Sequence, residues 1–220
     1  IEAVVTCTFA KLEPFNSLVH KLLHAACVVV LGRQHLFHCL RALRAEVRSR
    51  TGPMVPVTAN VKRELQWWLS AFSSTRYSSI PLASRLVFPD PCDKGVLAAY
   101  SDASRELASP ESSGWGAWAV VAREVVYVEG RWLPWELQNL SINVLELAAM
   151  QFGTFTFMAH AEARGAAVTH VIEFTDNTAA EHSAERGRPS NWRMQALVKW
   201  RYDRLEQLGI HSAVTRVASV

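Results

Sequence analysis

Over residues 15–31, apolar residues (Leu18, Leu22, Ala25, Ala26, Val29) recur at helical spacing, and Gly32 is placed to end the run. A second helix is predicted over residues 35–47. Leu36, Leu40 and Leu43 share one face, Arg41, Arg44 and Arg48 another, and Thr51-Gly52-Pro53 breaks it. Thr58 is suited to cap a third helix reaching Phe72, with Leu65, Trp68 and Leu69 as its apolar stripe; Lys62, Arg63 and Glu64 read as solvated. After Gly95 the period changes. Strands are predicted over residues 96–104, 114–121 and 124–132, and a long helix over residues 141–164, with Ser141 suited to cap it and Val144, Leu145, Ala148, Phe152 and Phe155 in its apolar set. A buried strand over residues 169–176 leads to Asp176. A short helix over 178–185 follows, then one capped by Asn191 that ends at Gly209, then a last strand from His211. The predicted order is βββ-α-β-α-α-β.

The Ser- and Pro-rich stretch 73–94 between the two patterns marks a boundary, giving a helical unit over residues 1–90 and an α/β unit over residues 95–220. Half of the 220 residues are hydrophobic and one in five is charged, the composition of a folded globular chain rather than a disordered or fibrous one. The longest apolar stretch, residues 25–31, falls well short of the ~20 residues that span a bilayer, so no membrane partner is expected. The net charge of +3 is uneven: residues 1–95 hold twelve Lys/Arg against six Asp/Glu, and residues 96–220 hold eleven against fourteen. A basic half beside an acidic half suits a nucleic-acid grip next to a metal site, and a difference of this size also arises easily by chance. Cys7, Cys27, Cys39 and Cys92 form no CxxC pair, which points to a reducing, intracellular setting. The chain starts at Ile1 without Met and reads as a fragment of a longer protein.

Three acids stand where packing does not ask for them. Asp102 ends the first strand of the α/β unit, Glu146 lies between Leu145 and Leu147 in the most apolar part of the long helix, and Asp176 ends the fourth strand. A carboxylate near an apolar core is costly unless paired or bound to a cation. Three that converge suit Mg²⁺ or Mn²⁺, which prefer hard oxygen ligands. Two such ions would clamp a phosphate for in-line hydrolysis.

Tyr100-Ser-Asp-Ala-Ser104, Gly114-Trp-Gly-Ala-Trp118, Ser141-Ile-Asn-Val-Leu-Glu-Leu-Ala-Ala149 and Phe174-Thr-Asp-Asn177 resemble the signatures of ribonuclease H. More narrowly, the chain is similar to the ribonuclease H region that follows reverse transcriptase in retroelements of the DIRS type. Residues 15–72, with Lys21-Leu-Leu-His-Ala-Ala26 and Glu64-Leu-Gln-Trp-Trp68, resemble the thumb or connection region of such polyproteins. The resemblance implies a ribonuclease H-like mixed five-stranded sheet with flanking helices, preceded by a small helical connection unit. It implies two-metal hydrolysis of the RNA strand of an RNA/DNA hybrid, downstream of a polymerase domain in the same polyprotein. Asp102, Glu146 and Asp176 match the catalytic, metal-binding acids. Asn143 matches a position that contacts RNA 2′-hydroxyls, and Ser104 lies in the loop that approaches the substrate. The family's fourth acid falls beyond the last strand, past Val220. A second class of function therefore stands beside the first: a retroelement-derived fold that has lost catalysis and serves as a structural or interaction subunit. A DNA-cutting relative of the fold is a third reading, which the pattern from Asn143 to Glu146 disfavours.

Other groupings carry less. His20, His24 and Cys27 have spacing that permits zinc, but without a CxxC or HExxH anchor they read as part of a helical hairpin. His182 beside Ser183 and His211 beside Ser212 do not make triads. Of Trp67 and Trp68 one belongs in a core. Trp115, Trp118, Trp132 and Trp135 fit packing better than base stacking. Arg186, Arg188, Arg193, Lys199, Arg201 and Arg204 suit either phosphate contact or a solvated helix face.

Overall fold

A computed structural model describes residues 1–26, 29, 32–49, 53–74, 90–91, 93–121, 124–187, 189, 191 and 192–217. The chain divides into two compact units, residues 1–86 and 87–220. Most of the Ser- and Pro-rich stretch lies outside the described residues.

The first unit contains α1 (Glu2–Val5), β1 (Phe9–Lys11), α2 (Leu12–Ala25), α3 (Phe37–Ser49), β2 (Met54–Pro56) and α4 (Ala59–Ser73), with a 3₁₀ turn Gly32–Leu36 leading into α3. Helix α2 starts earlier than predicted. Pro14 sits in its first turn, where backbone N–H groups have no intrahelical acceptor and a proline costs no bond. It buries Phe15, Val19 and Leu22 and stops at Ala25, six residues short of the predicted end. Gly32 opens the 3₁₀ turn rather than ending α2, and a Cβ there would lie 2.6 Å from the Trp68 ring. Trp68 is fully buried and donates Nε1–H to the His35 carbonyl at 3.0 Å, while Trp67 stacks on the His35 ring at 3.8 Å. The short antiparallel pair β1–β2, with Ala10 opposite Val55, was not foreseen.

Thr58 caps α4 as predicted, its hydroxyl accepting from Val61 N–H. Glu64 is not solvated. It is buried, and its two oxygens accept from the N–H groups of His38 and Cys39, each at 2.9 Å, in the first turn of α3. It thus satisfies two donors that the helix leaves open and places negative charge at the positive end of its dipole. The buried Cys39 thiol is pushed up by desolvation and by Glu64. Glu64→Gln can accept only one of these bonds and is expected to cost about 1–3 kcal/mol by urea denaturation; no measurable loss would remove the cap from the account. Cys27, the third member of the zinc grouping with His20 and His24, lies outside the described residues.

The second unit contains β3 (Val96–Ala103), β4 (Gly114–Val121), β5 (Glu124–Arg131), α5 (Pro134–Asn139), α6 (Ile142–Ala163), β6 (His170–Thr175), α7 (Thr178–Arg186), α8 (Trp192–Gln207) and β7 (His211–Arg216). The strand order is β5-β4-β3-β6-β7. The pairs β5–β4 and β4–β3 are antiparallel, β3–β6 and β6–β7 parallel. This is the expected mixed five-stranded sheet with flanking helices. Helix α5 was missed because six residues show no period; Pro134 at its start and the Glu136 carboxylate accepting from Leu133 N–H at 2.7 Å are the local signals for it.

Helix α6 is apolar on more than one face because it packs against the sheet on one side and against α7 and α8 on another, with Phe152, Thr156 and Ala159 left exposed. Phe157 and Ala161 pack with Leu97, Ala99 and Ala119 of the sheet, and Leu147 and Met150 pack with Ala184, Met194 and Val198 of α7 and α8. At Gly153 a Cβ would lie 2.5 Å from the Ala117 Cβ, so helix and sheet meet there at a distance only glycine allows. By length and composition α6 could cross a membrane; 67% of its most apolar window is buried inside this fold.

The basic residues of α8 divide. Lys199 pairs with Asp203 at 2.7 Å, and Arg193 donates to the Asn139 carbonyl. Arg201 is neither solvated nor free for phosphate. It is 1% exposed and ion-paired with Glu173 of β6, which is buried to the same degree. Thr154 donates to Glu173 Oε1 at 2.6 Å, and Arg201 Nη1 donates to Ser212 Oγ at 3.1 Å. Burying a guanidinium requires such a partner. Arg188 and the Arg186 side chain lie outside the described residues.

Candidate active site

Register brings the three acids together. Tyr100 of β3 is opposite Phe174 of the parallel neighbour β6, so Asp102 and Asp176 both lie two residues beyond that pair, at the C-terminal ends of adjacent strands. Strand β5 runs in the same sense as β3, so α6, which follows it after α5, begins at that same edge with Glu146 in its second turn. Ligand sites in open α/β sheets form at this edge. Carboxylate oxygens of Asp102, Glu146 and Asp176 lie within 4.8 Å of one another. Among the described residues this is the only gathering of three or more potential metal-ligating side chains of this kind.

The acids are in different environments. Asp102 is exposed, Asp176 half-buried and Glu146 buried. Glu146 Oε2 is buried without a hydrogen-bond partner. Desolvation, then the charges of Asp102 and Asp176, push the Glu146 pKa up to about 8. The Ala103 N–H, which donates to Asp102 Oδ1 at 2.8 Å, offsets part of this. An orphaned buried oxygen beside two further carboxylates is an all-oxygen donor set that fits a hard divalent cation. Because Glu146 holds its proton more tightly folded than unfolded, its contribution to stability is complete below its ordinary value of 4.5 and is lost as pH rises through about 8. In EDTA the Tm difference between wild type and Glu146→Gln should therefore move against the wild type as pH rises from 4.5 to 8, and saturating Mg²⁺ at pH 8 should return it. A difference that does not vary with pH would refute the assignment.

Ser104 follows β3 directly and is exposed. Its hydroxyl donates to the Ser112 carbonyl at 3.2 Å and accepts from Gly114 N–H at 3.1 Å, so it ties the 104–114 loop to the end of β4. Asn143, in the first turn of α6, accepts on Oδ1 from Asn177 Nδ2 at 3.2 Å. Asn177 adjoins Asp176, so the structure places Asn143 beside the acid cluster.

A groove of about 810 Å³ runs over the sheet from Asp102 and Asp176 past Ser104 to Arg131. Its floor is a row of rings in cross-strand register. Phe174, Tyr100 and Trp118 stack at centroid distances of 4.3 and 4.1 Å, and Tyr127 stands opposite Trp118 on β5. Trp118 is thus a packing residue with one side exposed, Trp132 is buried against Trp115 and Phe152, and Trp135 is exposed. The row was not legible in the sequence, because it depends on which strands are neighbours. Asn177 was legible as part of the motif around Asp176, but its capping of α7 and its bond to Asn143 were not.

No family model and no curated protein sequence matches the chain. Solved structures to which it is similar include RNase H1 of the halophilic archaeon Halobacterium salinarum, at 17% identity and a TM-score of 0.40, over 56% of this chain and 86% of that one. The N-terminal RNase H domain of a Mycobacterium tuberculosis protein is similar at 18% identity and a TM-score of 0.39, over 56% and 88%. A foamy virus protease-reverse transcriptase, solved in complex with an RNA/DNA hybrid, is similar at 14% identity and a TM-score of 0.31. That match covers 72% of this chain and 24% of the viral one.

Proposed function

We propose that the chain hydrolyses the RNA strand of RNA/DNA hybrids, as the ribonuclease H part of a retroelement reverse transcriptase of the DIRS type. The observation that carries this is the convergence of Asp102, Glu146 and Asp176, oxygen to oxygen within 4.8 Å, at the C-terminal edge of a mixed five-stranded sheet. These three residues would hold Mg²⁺ or Mn²⁺, in all two ions. Such cations, when bound, activate water for in-line attack on a phosphodiester and stabilise the leaving oxygen. The chain's own part is to position charge. Asp102 and Asp176 present carboxylates from rigid strand ends, and Glu146 gives up its proton to complete the set. Asn143 offers an amide to the RNA strand. The groove beside the acids offers room for a nucleic-acid strand over the aromatic row. The basic helical unit would meet hybrid phosphates, making binding fall with salt. A polymerase domain upstream in the same polyprotein and an intracellular setting belong to the same proposal.

The test is cleavage of an end-labelled hybrid, beside matched RNA and DNA duplexes, in Mg²⁺ and in Mn²⁺. The expected result is a cut confined to the RNA strand of the hybrid and absent in EDTA. Hybrid binding without cleavage in either metal would overturn the enzyme and leave the recruited, non-catalytic fold. Cutting of DNA duplex alone would move the chain to a DNA nuclease.

A further inference from the structure

Asn177 occupies the N-cap of α7. Its Oδ1 accepts from Ala180 N–H at 2.9 Å, and its own N–H donates to Thr175 Oγ1 at 3.2 Å. A backbone N–H can only donate, so the side-chain atom facing Ala180 has to be oxygen, and the orientation of this amide is decided by the helix. Its Nδ2 therefore points the other way, toward Asn143, at 3.2 Å. An amide nitrogen donates, so the Asn143 atom that meets it is Oδ1. Asn143 Nδ2, with both protons, makes no hydrogen bond among the described residues.

We propose that Asn177 is a positioning residue that sets the polarity of Asn143, so that Asn143 meets the substrate strand as a donor seeking an acceptor oxygen such as the ribose 2′-oxygen. The chain of orientation runs from the α7 backbone through the Asn177 amide to the Asn143 amide, with no freedom to flip at either step. The inference rests on the ribonuclease H reading for its substrate and on α7 capping for its geometry.

Two substitutions separate capping from orientation. Asn177→Ser keeps an acceptor for Ala180 N–H but is too short to reach Asn143. Asn177→Asp also keeps the cap, yet offers Asn143 only acceptors, which turns Asn143 Nδ2 inward and its oxygen toward substrate. With hybrid at saturating Mg²⁺, Asn177→Ser is expected to raise KM about 5-fold with kcat within about 2-fold, the loss of one oriented hydrogen bond. Asn177→Asp should raise KM further. In an Asn143→Ala background Asn177→Ser should change nothing, because the residue acts through Asn143. An equal KM effect in both backgrounds, or none in the wild type, overturns the proposal. Side-chain amide exchange by NMR reads the orientation without substrate: Asn177 Nδ2 protons should be protected and Asn143 Nδ2 protons should exchange freely. The reverse pattern refutes the geometry. A wild-type chain with the expected exchange pattern that neither binds nor cuts hybrid would refute the ribonuclease reading instead.

Discussion

Asp102→Asn and Asp176→Asn are each expected to lower metal-dependent hybrid cleavage by about 100-fold or more, some 3 kcal/mol of transition-state stabilisation. Asparagine keeps the shape of each side chain and removes one of the negative charges that gather the cation. The same removal relieves Glu146, whose raised pKa comes in part from these two neighbours. Either variant should therefore be as stable as the wild type in EDTA, or more so, while its response to Mg²⁺ shrinks. Cleavage rates and melting curves with and without metal check both halves. A variant that cuts at the wild-type rate would show that the cluster is not the catalytic centre. One that merely unfolds would show that the acid is structural.

Arg201→Ala is expected to destabilise the second unit by about 3–5 kcal/mol, because it leaves the Glu173 carboxylate buried with only the Thr154 hydroxyl beside it. The ion pair joins α8 to β6, and its hydrogen bonds extend to α6 through Thr154 and to β7 through Ser212. Glu173 also lies three residues before Asp176, so loosening it loosens the strand that presents an acid of the cluster. Replacing both charges together, as Glu173→Leu with Arg201→Met, should recover most of the loss, since the desolvation penalty disappears with the pair. Urea denaturation of the two variants measures this. A loss under 1 kcal/mol for Arg201→Ala would mean that the buried charge finds another partner.

The elements whose causes are local could be read from the residues in order. Strand β4 runs over residues 114–121 as its alternation predicts, and α6 lies within one residue of each predicted end. Thr58 and Asn191 cap the helices that follow them as expected, each accepting an N–H three residues on, whereas Ser141 stands at the N-cap of α6 without a side-chain bond and the cap that Asn177 gives α7 was not read from the sequence. The placing of Asp102 and Asp176 at strand ends and Glu146 inside an apolar helix was equally legible, because a charge against an apolar pattern stands out without a structure. What misled was charge whose partner is distant in sequence. Glu64 reads as solvated because nothing near it announces the N-terminus of α3, and Arg201 reads as surface because Glu173 is 28 residues earlier. The strands β1 and β2, three residues each, have no period of their own and exist by pairing across more than forty residues.

The site divides along the same line. Residue identity alone determined that three hard-oxygen ligands and two amides were available, and on which kind of element each would stand. Only the parallel register of β3 against β6 and the return of α6 to the same edge decided that the three carboxylates share one cation-sized space. Only burial and the nearness of Asp102 and Asp176 push the Glu146 pKa up to about 8, and only the capping of α7 decided which way Asn143 turns its amide. The physical reason is one of range. Propensity, capping and periodicity act over a turn or a strand and are written in neighbouring residues. Desolvation, charge–charge repulsion and amide orientation depend on what the fold brings from elsewhere in the chain.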